Sequence, residues 1–171
     1  MQNETAQWHE RQVHFQKLNR IFLIVYIGVT IAVLLRGISV AYNRAILYSV
    51  ISLFMLGVPR LVEKAGRLTI PADGRFLFYL FSFGAVEFGS AMDAYDWIGW
   101  WDLLLHGLSG ALIALIGLFV YNGLRHNQGQ LAQAEQKLAL VFMNLAATTS
   151  AAIWEYYEFI LDTFFGFDAQ Y

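Results

Sequence analysis

The chain of 171 residues is 58% hydrophobic and 14% charged, with four histidines, no cysteine and a net charge of -2. A soluble domain is nearer half apolar and a quarter charged, and here the apolar excess lies in long runs, so the composition indicates an integral membrane protein. It excludes a disulfide framework and a thiolate metal site, and the lack of a basic stripe interleaved with aromatics argues against nucleic-acid binding.

In chain order, residues 1–20 are polar and mixed in charge, unlike a secretory leader. Five apolar stretches follow, near 21–42, 45–62, 76–92, 101–121 and 138–165. The second carries Pro59 near its end, a signal for a kink or a stop. Helices are expected throughout, because unpaired backbone groups are too costly in lipid and no alternating barrel pattern is present. The expected fold is an all-α, polytopic membrane helix bundle of about five transmembrane helices, a single domain over residues 1–171. The polar segment from Asn127 to Lys137 reads as a connection.

Lysine and arginine set the expected orientation. With the N-terminus in the cytoplasm, nine of the 11 cationic residues fall inside, and only Arg36 and Arg44 fall outside. The C-terminus then lies outside. Tyr95, Trp97, Trp100, Trp101, Phe164, Phe165, Phe167 and Tyr171 mark the outer ends as an aromatic belt.

Eight acidic residues lie in or beside the last three spans: Glu87, Asp93, Asp96, Asp102, Glu155, Glu158, Asp162 and Asp168. A charge near the bilayer midplane costs about 2.5–3.5 kcal/mol, so such residues indicate a use. The expected topology brings Glu87, Asp102, His106, Glu155, Glu158 and Asp162 to the same outer half of the membrane. Asp102 and His106 are four apart and share a helix face, Glu155, Glu158 and Asp162 form one stripe, and Glu87 pairs in register with Ser90. The small residues Gly84, Ala85, Gly89, Ala91, Gly107, Ser109 and Gly110 are expected to let the helices close up.

Clustered carboxylates need protons or a cation among them. Carboxylates with one imidazole suit zinc, manganese or iron, and the expected ligands are Glu87, Asp102, His106, Glu155 and Glu158. A divalent metal there lowers the pKa of bound water and polarises a carbonyl or phosphoryl group. Glu158 or Asp162 then serves as general base, and Asp162 alternatively orients His106. Such a site suits a hydrolase acting on a lipid or lipid-linked substrate. The alternatives are a cation-binding or transport protein, and a non-catalytic subunit with a structural ion or a partner site. Asp93, Asp96 and Asp168 read as rim charges or caps, and Arg36 and Arg44 as interfacial cations or partners of an acid of the cluster.

The stretch from Trp101 through Asp102 and His106 to Gly110 resembles a motif of the YjdF-like inner-membrane proteins, a bacterial family of unknown function. So does Trp154–Glu155–Tyr156–Tyr157–Glu158, with Asp162 and the ending Phe167–Asp168–Ala169–Gln170. The resemblance implies a small polytopic membrane protein with intramembrane acids and a histidine, and it supplies no activity. It also implies a further Asp-containing segment and a final span beyond Gln170. The chain ends at Tyr171, as a shorter or truncated member would, leaving a bundle flank for a second copy of the chain to cover.

Overall fold

The structure is a computed structural model that describes residues 2–67, 69–124, 133–160 and 163–164. Helices α1 (Gln2–Ser39), α2 (Asn43–Met55), α3 (Val58–Gly66) and α4 (Ala72–Ser82) are followed by a π-helical segment (Phe83–Ala91). A short α5 (Ala94–Trp97), α6 (Trp101–Leu124) and α7 (Gln133–Ile160) complete the order. The fold is an all-α membrane helix bundle, with no strand among the described residues. The chain divides into two compact units, Met1–His106 and Gly107–Tyr171, with the boundary inside α6.

Four helical stretches are long and apolar enough to cross a membrane: Ala6–Ser39, Asn43–Gly66, Trp101–Leu118 and Ala134–Tyr156. Their exposed residues explain why. Ile21, Ile24, Val25, Ile31, Leu35, Leu47, Val50 and Phe54 lie on the surface of the first unit, while Thr30, Ser49 and Ser52 are fully buried. In water this arrangement would waste the hydrophobic driving force. In lipid the tails solvate the apolar faces, and the polar groups gain by meeting one another.

The stretch expected near 76–92 is not among the four, its helix being divided between α4 and the π segment. Helix α4 and the π segment form a continuous run that lies against both α1 and α2. At one end of the α1–α2 hairpin, Gln12 Oε1 accepts the Ala72 N–H at 2.6 Å and Asn19 Nδ2 donates to the Ala72 carbonyl at 2.8 Å. At the other end, the Tyr42 hydroxyl donates to Asp93 at 2.7 Å. The run therefore traverses the whole hairpin, and it carries Asp73, Arg75 and Glu87 because much of its surface faces protein rather than lipid.

Local chemistry sets the breaks. The α2–α3 break falls at Leu56 and Gly57, and Pro59 sits in the first turn of α3, where its missing N–H costs nothing. Pro71 offers α4 no side-chain cap, and Gln12 of α1 supplies it from across the unit. The N-terminal residues expected as a polar segment continue the helix, so α1 has 38 residues and extends about 57 Å at the usual rise. In the second unit, α6 and α7 are antiparallel neighbours. A Cβ on Gly117 would lie 3.0 Å from the Ala146 Cβ, and the rings of Tyr121 and Phe142 are 5.9 Å apart.

Candidate functional site

The π segment shapes the polar interior of the first unit. In α-helical geometry, residues five apart are separated by about 140° around the axis; hydrogen bonds from i to i+5 bring them onto one face. The Met92 N–H bonds to the Glu87 carbonyl at 3.0 Å, and the Ser90 hydroxyl to the Ala85 carbonyl at 3.3 Å, both with the five-residue spacing. Ser82 and Glu87, five apart, are accordingly both buried. Gly84 and Gly89, also five apart, meet large neighbours. A Cβ on Gly84 would lie 3.2 Å from Leu105, and one on Gly89 2.5 Å from the Tyr95 ring. The pairing of Glu87 with Ser90 expected from α-helical spacing is thus replaced by one with residues of other helices.

Glu87 is completely buried. Its Oε1 accepts the Ser49 hydroxyl of α2 at 3.3 Å, and the hydroxyls of Ser52 and Thr30 lie near enough to act on its charge. Beside it, the Tyr26 hydroxyl is 2.8 Å from Ser52 Oγ and 3.2 Å from Ser82 Oγ. Tyr26 and Thr30 are one turn apart on α1, and Ser49 and Ser52 one turn apart on α2. Three helices thus deliver five hydroxyls around one carboxylate, all at most 3% exposed. Two atoms of this cluster, Glu87 Oε2 and Thr30 Oγ1, have no partner at hydrogen-bond geometry. No lysine or arginine pairs with Glu87 among the described residues. Sequence reasoning found Glu87 and missed the hydroxyls; the i, i+4 and i, i+3 polar pairs within apolar stretches were the available signal.

Asp102 and His106 meet as their spacing predicts, with His106 Nε2 3.2 Å from Asp102 Oδ2, each side chain roughly half exposed. They do not face Glu87. Helix α6 turns Trp101 and Leu105 toward the π segment: Trp101 Nε1 donates to the Gly84 carbonyl at 3.0 Å, its ring packs on Phe88, and Leu105 is buried. The next residues along, Asp102 and His106, therefore point about 100° away. Among the described residues, no group of three or more His, Asp or Glu side chains lies close enough to hold a metal ion. Glu155 is exposed on α7 of the second unit. The side chain of Glu158, together with Asp162 and Asp168, lies outside the described residues.

At the hairpin end, Arg44 pairs with Asp96 at 2.8 Å and with Asp93 at 3.4 Å. Asp93 is in the left-handed region (φ 62°) and begins α5. The Tyr42 phenol is held above its ordinary pKa, chiefly by its hydrogen bond to Asp93. Trp97 and Trp100 are exposed as belt residues should be, whereas Trp101 packs inward. Among the described residues, nothing lies within 4 Å of a Cβ added at Gly107 or Gly110.

Residues 20–171 match a family described as "Predicted membrane protein (DUF2238)", and the chain belongs to that family. Its function is unknown, as the sequence motifs led one to expect; the YjdF-like name is not part of that description. Neither a curated protein nor a solved structure matches the chain.

Proposed function

We propose that this DUF2238 membrane protein binds and passes a small cation, a proton or an alkali ion, at Glu87. One observation carries the reading: a carboxylate with an unpartnered oxygen, buried among hydroxyls from three helices. An isolated buried carboxylate is too costly to hold charged, so it takes a proton or a cation. Carboxylate and hydroxyl oxygens suit a hard ion. A polar sequence leads away from it along α4, through Ser82 with its Tyr26 bond and then Tyr79, to Arg75. Intramembrane acids in such a sequence mark ion and proton paths. The lysine and arginine distribution supports a cytoplasmic N-terminus.

Proteoliposomes with an internal pH dye, under imposed sodium, potassium and proton gradients, test the proposal. Wild type is expected to dissipate one of these gradients, and Glu87→Gln to lose that flux while remaining folded. Equal flux in both, or no flux in wild type, would overturn it.

A second reading rests on the Asp102–His106 pair. A carboxylate that orients an imidazole is the usual companion of a metal-bound histidine. On this reading Asp102 and His106 would supply ligands for a divalent metal, zinc, manganese or iron, in a hydrolase of lipid or lipid-linked substrates. Metal analysis of purified wild type beside Asp102→Asn and His106→Ala separates the two readings. A folded, metal-free wild type sinks the second.

A further inference from the structure

The end of the first unit opposite Arg44 holds a cleft of about 700 Å³, lined among others by Arg20, Arg60, Arg75, Asn19, Trp8 and Leu23. We infer that this cleft binds the phosphate of an anionic phospholipid headgroup that also carries a hydroxyl.

The charge is one-sided. Among the described residues, three arginines line the cleft and no acidic side chain does so. Arg75 is bound through a terminal nitrogen to Glu63, which holds its guanidinium in place, and Glu63 is itself anchored by accepting the Ile70 N–H at 2.9 Å. Arg20 and Arg60 are exposed, with no such ion pair among the described residues.

Two buried atoms within the lining have no partner: Arg75 Nε, a donor, and Asn19 Oδ1, an acceptor. Asn19 is only 7% exposed, and its amide nitrogen is already committed to the Ala72 carbonyl. Unmet buried polar groups cost about 1–3 kcal/mol each, so native structures seldom leave them without a use. The complement of this pair is a group with an anionic acceptor for the arginines and an O–H donor for Asn19. A phosphate ester next to a hydroxyl has both, and arginine is the side chain best shaped to hold phosphate.

The position favours a lipid over a free ion. Arg20 is followed at once by the exposed apolar run that begins at Ile21 and Ile24, so the cleft lies where a lipid-facing surface gives way to a polar one. Trp8, Leu23 and Tyr79 give it apolar walls, as an interfacial lipid site needs. The cleft shares Tyr79 and Arg75 with the path proposed from Glu87, but its phosphate site does not depend on what Glu87 binds.

The test uses the full chain, delipidated in neutral detergent, and follows thermal stability with added dioctanoyl phosphatidylglycerol, dioctanoyl phosphatidylcholine or inorganic phosphate. Phosphatidylglycerol is expected to raise the melting temperature of wild type and phosphatidylcholine is not. In the Arg20→Gln/Arg60→Gln double variant, half-maximal stabilisation should need at least about tenfold more phosphatidylglycerol, the effect of losing charge-assisted hydrogen bonds. Arg36→Gln, a charge removed outside the cleft, should respond like wild type. An unchanged response in the double variant, or an equal loss in Arg36→Gln, overturns the proposal. If inorganic phosphate stabilises wild type as well as the lipid does and fails on the double variant, the headgroup assignment is overturned in favour of a free anion.

Discussion

Ser49 donates its hydroxyl to Glu87 at 3.3 Å, joining α2 to the π segment inside a core from which both residues exclude solvent completely. The contact is polar in a molecule whose surface is apolar. That inversion follows from the solvent: lipid offers a buried hydroxyl no competitor for its partner.

Tyr26 should be the most sensitive hydroxyl of this core, since it touches both Ser52 and Ser82. Tyr26→Phe keeps the ring packing on Phe83 and leaves two serines short of a partner. The expected cost is about 1–3 kcal/mol, read as a lower midpoint in a detergent unfolding series. A variant as stable as wild type would mean that the serines re-pair with their own helix backbones.

The two glycines Gly89 and Gly107 should answer alanine substitution with opposite signs. At Gly89 the new Cβ would lie 2.5 Å from the Tyr95 ring and 2.9 Å from the Gly84 carbonyl, one of them backbone that cannot yield cheaply. Gly89→Ala should destabilise by about 1–3 kcal/mol through overpacking. At Gly107 nothing lies within 4 Å, and Gly107→Ala should be neutral or add up to about 1 kcal/mol from helix propensity. Melting both variants beside wild type decides this.

A pH effect is expected at Tyr42. Its phenol is raised because the O–H donates to Asp93, an arrangement that needs the neutral phenol. Its contribution to stability is therefore complete below the unfolded phenol pKa of about 10 and is lost as pH rises through the higher folded value. Alkaline difference spectra should lose a late-titrating tyrosine in Tyr42→Phe, and in Asp93→Asn that tyrosine should titrate earlier. No change in Asp93→Asn would remove the hydrogen bond as the cause.

The legible part of the site was what i, i+4 spacing controls. Asp102 and His106 share a face of α6 by sequence alone, and they pair. The surroundings of Glu87 were not legible, for a specific reason. A nine-residue π segment changes which residues lie above one another, so α-helical arithmetic assigned Glu87 to Ser90 when its face is shared with Ser82. The hydroxyls of Tyr26, Thr30, Ser49 and Ser52 carry no charge and lie within apolar stretches. Only packing of α1 and α2 against the π segment turns them inward together.

By itself the sequence determined the solvent of this protein, its helical class and the order and length of its apolar stretches, because these depend on local composition and on the cost of an unpaired backbone in lipid. It also determined which ionisable groups must be explained. Tertiary structure alone decided that Glu87 sits among hydroxyls, that Asp102 and His106 turn away from it, and that Gln12 caps a helix sixty residues on. Those outcomes depend on the rotation of each helix about its axis, and rotation is set by contacts between segments far apart in the chain.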